Sequence, residues 1–156
     1  MEKMLISGVA ADKNVAKIRV AGLGNDPEST FRLLNLLDRN NLNIDVMIQS
    51  LGKDGTKSVS FTVAKPDMLR TIDVLNDNKD LLGIKKLDYD ENVAKVSVIG
   101  AGVRSHSGVA AKMFGALANA GINTEMVTTS EIRITALIDE AYADQAMRAI
   151  HETFLE

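Results

Sequence analysis

The sequence contains no cysteine and no tryptophan, and only 4% of its residues are aromatic. Without cysteine the chain cannot form disulfides, thiolate zinc sites or a cysteine nucleophile, and this composition agrees with a reducing cytoplasm. A nucleic-acid binder needs a basic surface, and a single-strand binder also needs exposed aromatic rings for stacking. The formal net charge is −3 and the pI is about 5.4, so we expect no nucleic-acid partner.

Long apolar segments are also missing. No apolar run approaches the roughly 20 residues that span a bilayer, and the apolar stretch at the N-terminus is too short for a signal peptide. We therefore expect a cytoplasmic protein with no membrane partner. Hydrophobic residues make up 46% and charged residues 25% of the 156 residues, a composition typical of one globular domain or two small ones.

Residues that could perform catalysis are few. His151 is expected at a solvated helix end, and His106 lies in a loop where spacing fixes no second titratable partner. No spacing of histidine and acidic residues suits a metal ion. The glycines at positions 22 and 24 lack the third glycine of a dinucleotide loop, and residues 52–55 (GKDG) indicate a hairpin turn. The sequence therefore predicts no catalytic residue, no metal site and no cofactor, and an enzyme acting alone is disfavoured.

Two blocks of sequence recur at nearly equal distances. Residues 15–24 (VAKIRVAGLG) recur 78 positions later as residues 93–102 (VAKVSVIGAG). Residues 42–47 (LNIDVM) recur 80 positions later as residues 122–127 (INTEMV). Two matches at similar offsets indicate that the chain contains two copies of one module.

Both copies show the same order of predicted elements. An alternating strand is followed by a glycine-containing loop and an amphipathic helix, with Pro27 in the first turn of one helix and Gly121 after the end of the other. The predicted apolar helix faces include Phe31 in the first copy and Met147 in the second. The later elements are strands at residues 44–50 and 58–64 and a helix at residues 66–78 in the first copy, and strands at residues 123–130 and 133–139 and a helix at residues 140–154 in the second.

One more strand would complete a ferredoxin-like βαββαβ fold in each copy. The first copy has a candidate at residues 83–89, whereas the second reaches Glu156 without one. An unassigned strand at residues 4–10 would complete the second copy. We therefore predict an α+β fold of two ferredoxin-like modules, the first inserted in the second, with domains at residues 15–90 and at residues 1–14 plus 91–156.

Five segments carry a resemblance to a known family. They are residues 7–13 (SGVAADK), 43–49 (NIDVMIQ), 95–102 (KVSVIGAG), 105–109 (SHSGV) and 129–134 (TSEIRI). Together with the layout, they resemble the regulatory portion of aspartate kinase, which is a tandem of ACT domains. The resemblance covers nearly the whole chain, and the last two segments are specific to this family rather than to ACT domains in general.

The resemblance implies ACT modules that bind a free amino acid and inhibit a kinase acting on the β-carboxylate of aspartate, in lysine, threonine and methionine biosynthesis. The kinase domain is absent from this sequence. In some bacteria the family makes this portion as a separate regulatory subunit, so the chain corresponds either to that subunit or to an excised fragment. The expected partners are threonine, lysine or both as effectors, a second copy of the chain in a homodimer, and the kinase catalytic domain or subunit.

An amino-acid ligand presents a carboxylate, an ammonium group and a side chain. Backbone N–H groups at a helix start suit the carboxylate, and acidic or carbonyl groups suit the ammonium. By similarity to the family, the first copy holds threonine, with Gln49 reaching its hydroxyl and Asp45 near its ammonium. The residues expected in this site are Asn25, Asp26, Pro27, Glu28, Asn43, Ile44, Asp45 and Gln49.

The same resemblance places residues of the second copy on the opposite wall of the cavity, across a subunit interface. They are Val109, Ala110, Asn123, Thr124 and Ser130. The sequence departs from the family pattern at Glu28, where glycine is frequent, at Thr124, where isoleucine is frequent, and at Ser107, where proline is frequent. Glu28 could crowd the first site and Thr124 makes the opposite wall more polar, so the identity of the effector stays open.

Structural roles remain open beside these functional ones. Asn25 and Asp26 could be turn formers, and Asn43 and Asn123 could be structural hydrogen bonders at strand starts. At the level of the whole chain, the alternative to an amino-acid sensor is a purely structural module that holds kinase subunits together.

Overall fold

The computed structural model describes residues 6–100, 106–130 and 132–155. Part of the predicted strand at residues 4–10, most of the loop at residues 102–108 and Glu131 lie outside the described residues, as do the side chains of His106 and Ser107. The chain divides into two compact units. The first unit is Asn14–Glu91, and the second unit combines Met1–Lys13 with Asn92–Glu156.

Two long strands contribute to both units. They are β1 (Ile6–Leu23) and β4 (Lys86–Gly100). The sequence predicts two separate strands where the structure has β1, with a gap at residues 11–14, and two where it has β4, with a gap at residues 90–92. Both predicted gaps are wrong, because each strand is continuous. The segments are polar and therefore typical of turns, but a strand tolerates them where the side chains reach solvent and partners. Lys13 is exposed, for example, and its Nζ lies 3.5 Å from a carboxylate oxygen of Asp144.

The first unit holds the predicted β-α-β-β-α order. Besides its parts of β1 and β4, it contains α1 (Pro27–Arg39), β2 (Met47–Leu51), β3 (Lys57–Ala64), a 3₁₀-helical turn (Lys65–Asp67), α2 (Met68–Asp77) and the short α3 (Lys79–Leu82). The strand order is β2-β3-β1-β4, and β3 pairs antiparallel with both β2 and β1. The edge strand β2 is therefore held in this unit through its pairing with β3.

The second unit repeats this arrangement. It contains α4 (His106–Asn119), β5 (Met126–Thr129), β6 (Arg133–Asp139), a 3₁₀-helical turn (Glu140–Tyr142) and α5 (Ala143–Leu155), with the strand order β1-β4-β6-β5. β6 pairs antiparallel with β4 and with β5. Gly121 follows α4 with φ +73°, as its predicted C-cap role requires. The mixed α+β class predicted from the sequence is confirmed.

The core of the first unit lies between one sheet face and the helices. The alternating residues Val59, Phe61 and Val63 of β3 are buried in it, as predicted, together with leucines of α1 and α2. Phe31, however, is 64% exposed, so its predicted place on the core face is wrong. The buried face of α1 includes Leu33, and two residues correspond to about 200° of rotation around a helix, which turns Phe31 to the solvent side.

The second unit has a separate core of the same kind. Val96, Val98 and Ile134 face Met113 and Leu117 of α4 and the inner side of α5. Val9 and Ala11 of β1 pack against the same core. On α5 the buried positions are Ala143, Ala146 and Ile150, whereas Met147 is 37% exposed, contrary to the prediction. Met147 lies one residue past Ala146, and a rotation of about 100° moves it to the rim of the buried face.

A tight turn joins β2 to β3 at residues 52–56, confirming the predicted hairpin. Gly55 has φ +82°, and the carboxylate Oδ1 of Asp54 accepts hydrogen bonds from Thr56 N at 3.0 Å and Thr56 Oγ1 at 2.7 Å. These bonds lower the pKa of Asp54. The turn fixes the register in which Gln49 lies opposite Val59.

Within the described ranges, every helix is too short or too polar to cross a membrane.

Candidate functional site

The start of α1 is built around Asp26. Its side-chain Oδ1 accepts hydrogen bonds from Ser29 N at 2.8 Å and from Ser29 Oγ at 2.7 Å, and Pro27 occupies the first helical position. The side-chain and backbone bonds from Ser29 lower the pKa of Asp26. Asp26 thus acts as the N-cap of the helix, which is the structural role left open by the sequence.

One positively charged side chain, Lys57, lies at the same helix end. Lys57, the first residue of β3, donates from Nζ to the backbone oxygen of Asp26 at 2.9 Å. The N-terminus of a helix also carries partial positive charge and N–H groups without intrahelical acceptors. Beside the Asp26 cap, the groups here that suit the carboxylate of a small ligand are therefore the Glu28 N–H and the Lys57 ammonium.

The Glu28 side chain points along α1, where it pairs with Arg32, rather than across the helix end. Arg32 NH2 lies 2.6 Å from Glu28 Oε2, and both side chains are more than half exposed. An exposed pair of this spacing contributes little to stability. Its consequence is geometric, because the Glu28 carboxylate is paired one turn further along α1.

Gln49 lies beside the first turn of α1. It is opposite Val59 in the strand register, so it shares the sheet face that carries the core and the helices. Its amide oxygen Oε1 accepts a hydrogen bond from Thr30 Oγ1 at 2.6 Å. Thr30 is a neighbour that the sequence analysis missed. Its contact with Gln49 can be predicted only by combining the β2–β3 register with the start of α1. No local spacing in the sequence connects the two residues.

Residues 43–45 precede β2 instead of beginning it. Strand β2 starts at Met47, three residues later than predicted. The buried Thr62 explains the difference, because Asp45 N donates to its backbone oxygen at 3.1 Å while Val46 N donates to its Oγ1 at 3.0 Å. Ile44 packs against the core, whereas Asn43 and the side chain of Asp45 are exposed.

The predicted residues of the first unit therefore separate along α1. Asn25 to Glu28 and Gln49 lie at its start, and Asn43 follows its end. A helix of 13 residues is about 20 Å long. The structure brings Gln49 to the helix start and leaves Asn43 near the opposite end, with Asp45 between them along the extended chain.

The predicted residues of the second unit also occupy different environments. Val109 is buried in the core with 1% exposure, and Ala110 packs against that core. Ser130 lies in the turn between β5 and β6, where its backbone N donates to Arg133 O at 2.7 Å. Asn123 and Thr124 line a surface pocket of about 380 Å³ at the end of α4. The other residues lining this pocket are Phe114, Leu117, Ala118, Gly121 and Ile122.

Comparison with known proteins gives consistent matches. Residues 96–154 match the family model of the ACT domain. Over 154 residues the chain is 38% identical to an aspartokinase of Pseudomonas aeruginosa, an alignment that covers 99% of this chain and 37% of that relative. The chain thus spans a little over a third of the length of the curated relatives that it matches.

Two solved structures match over nearly their whole length. A structure of aspartokinase alpha and beta subunits superposes with a TM-score of 0.90 at 41% identity, covering 97% of this chain and 99% of the matched chain. The ligand-free regulatory subunit of aspartate kinase from Thermus thermophilus superposes with a TM-score of 0.89 at 33% identity, covering 96% and 99%.

Proposed function

We propose that this chain, which belongs to the ACT-domain regulatory subunits and regulatory domains of aspartate kinase, binds threonine and thereby inhibits an aspartate kinase. The observation that carries this proposal is the meeting of Gln49 with the start of α1. A helix start suits a carboxylate, and an amide side chain suits a hydroxyl. Threonine presents both groups within one small molecule.

The proposed roles follow from the charges at the helix start. The backbone N–H of Glu28 holds the ligand carboxylate, since Pro27 has no N–H and Ser29 N is bonded to Asp26, and Lys57 adds a positive charge beside it. Gln49 reaches the ligand hydroxyl. The exposed carboxylate of Asp45 attracts the ligand ammonium. Four residues of extended chain span at most about 13 Å between Cα atoms, and the ammonium and hydroxyl of threonine are on adjacent carbons, so in this proposal the side chains of Asp45 and Gln49 lean toward each other along this segment.

We further propose that the chain functions as a homodimer. β2 and β5 stand at the ends of the strand orders in their units, and edge strands offer backbone groups for pairing. In this proposal a partner copy contributes the opposite wall of the cavity, with the exposed Asn123 and the half-buried Thr124 as its polar residues. Light scattering at micromolar concentration with threonine present tests it, because a monomeric mass would contradict the dimer.

Inhibition requires a preference between two states of the kinase assembly. A ligand with equal affinity for the active and inactive states shifts nothing. Threonine therefore inhibits only if its site is better formed in the inactive arrangement. A tenfold difference in affinity between the states corresponds to about 1.4 kcal/mol.

A purely structural dimerisation module is the competing proposal. The internal use of the Asp26 carboxylate as a helix cap favours it, because that group serves the fold without any ligand. Thermal unfolding with and without millimolar threonine, lysine or methionine separates the two proposals. A ligand at 100 times its Kd adds about 2.7 kcal/mol, which raises the melting temperature by several degrees for a chain of this size. No shift with any amino acid would favour the structural module.

A further inference from the structure

We propose that Thr30 holds the Gln49 amide in one orientation and thereby makes the site select threonine over lysine. This inference rests on the proposed function, since it names what sets the selectivity of the same site. It assigns to Thr30 a positioning role, in which the residue acts on the ligand through Gln49.

The contact that fixes the amide joins α1 to the edge strand. Thr30 Oγ1 donates its single proton to Gln49 Oε1 over 2.6 Å. A side-chain amide has an acceptor end and a donor end. With the acceptor end held against the helix, the Nε2 donor end faces away from Thr30 and is offered to a ligand.

This orientation distinguishes the two effectors that the sequence leaves open. A threonine hydroxyl can accept a hydrogen bond from Nε2, whereas a lysine ammonium has three donors and no acceptor. A lysine ammonium would have to approach Oε1 on the side crowded by Thr30.

Thr30 also lowers the conformational entropy that the Gln49 side chain loses when a ligand binds. Gln49 is exposed on a short edge strand, and a free glutamine side chain loses rotamer freedom when it is immobilised. Because Thr30 already restrains the amide, a hydroxyl ligand meets a donor that is oriented before binding.

The test compares Thr30→Val with Thr30→Ser in the full chain. Valine keeps the β-branched shape and removes the hydroxyl, and serine keeps the hydroxyl. Calorimetric titration of threonine, valine and lysine gives two affinity ratios, threonine over valine and threonine over lysine. In Thr30→Val we expect both ratios to fall about threefold to tenfold, as the loss of one hydrogen bond implies. Thr30→Ser is expected to keep the wild-type ratios.

A second variant removes the same hydroxyl with a better helix former. If circular dichroism shows that Thr30→Val unfolds, Thr30→Ala takes its place beside Thr30→Ser, and the same fall of both ratios is expected. Gln49→Glu tests the Nε2 donor itself, because a carboxylate only accepts hydrogen bonds at neutral pH. We expect it to favour lysine over threonine relative to the wild type, and an unchanged preference would contradict the donor role.

The outcomes separate the inference from the proposed function. If the wild type binds no amino acid, the proposed function fails and the inference fails with it. If the wild type binds threonine but folded Thr30→Val keeps both ratios, the inference alone is overturned. Equal loss of selectivity in Thr30→Ser and Thr30→Val would also overturn it, because a hydroxyl would then not be what matters.

Discussion

Asp26 and Ser29 close the first turn of α1 through one carboxylate oxygen, which accepts from both the backbone N at 2.8 Å and the hydroxyl at 2.7 Å of Ser29. A side chain that caps a helix in this way satisfies donors that the helix itself leaves open. The same turn is the start of the proposed ligand site. Stability and binding therefore depend on neighbouring groups of one short segment.

Replacing Asp26 tests the cap. Asp26→Ala should lower the melting temperature, whereas Asp26→Asn should retain most of it, because asparagine also caps helices well. The pKa of Asp26 is lowered by the bonds from Ser29, so its carboxylate contributes stability above the ordinary pKa of an aspartate. That contribution should disappear as the pH falls through the lowered pKa. Thermal unfolding of the wild type and Asp26→Asn across acidic pH measures it, and an equal pH profile for both would contradict the role.

Ser97 and Thr135 offer a prediction for the second unit. Their hydroxyl oxygens lie 2.9 Å apart on β4 and β6, and both residues are buried. Ser97→Ala should destabilise the protein by about 1–3 kcal/mol, because it leaves a buried hydroxyl without its partner. The double variant Ser97→Ala/Thr135→Val should cost less than the sum of the two single changes. Urea denaturation of the four proteins checks this, and additive losses would show that the hydroxyls do not interact.

Two glycines near the end of α4 should respond in opposite directions to alanine. Gly115 lies within the helix with open space where a Cβ would be, so Gly115→Ala should stabilise the protein by about 0.5–1 kcal/mol. Gly121 also has open space but a φ of +73°, so Gly121→Ala should destabilise it through backbone strain. Chemical denaturation compares the two variants, and a stabilising Gly121→Ala would contradict the C-cap assignment.

The sequence predicted the elements of the fold better than their limits. The repeated blocks and alternating strands such as Val59 to Val63 indicate local structure, and periodicity is a local property. The continuity of β1 through residues 11–14, three of which are polar, depends on its neighbours in the sheet, β3 and β4, which are distant in the sequence. The predicted burial of Phe31 is wrong because α1 has more apolar residues than its buried face can hold. Tertiary packing buries the leucines and leaves Phe31 exposed.

The candidate site was predictable only where it depends on local sequence. The residue types of Asp26 and Pro27 alone predict a helix start. The pairing of Thr30 with Gln49 spans 19 residues, and it depends on how α1 packs beside β2, which no local sequence pattern specifies. The delayed start of β2 follows from Thr62, whose hydroxyl accepts from Val46 N at 3.0 Å. A residue-type pattern contains no sign of such a bond.

Asp45 provides a prediction about the ligand ammonium. Its side chain is exposed and its backbone N is held by Thr62 O at 3.1 Å, so Asp45→Ala keeps the backbone bond that orders this segment, and circular dichroism checks that the variant is folded. We expect it to weaken threonine and valine alike, because both carry the ammonium that a carboxylate attracts. Calorimetric titration of each amino acid measures the change. A loss confined to threonine would place Asp45 at the side chain of the ligand instead.

The most direct test of amino-acid sensing is calorimetric titration of threonine and valine into the wild type and Gln49→Ala. A hydroxyl–amide hydrogen bond contributes about 0.5–1.5 kcal/mol, and a buried hydroxyl left unpaired costs about 1–3 kcal/mol. We expect the wild type to bind threonine more tightly than valine, and Gln49→Ala to lose most of this difference while its valine affinity changes little. If Gln49→Ala binds threonine with wild-type affinity, Gln49 does not contact the ligand hydroxyl and the site lies elsewhere.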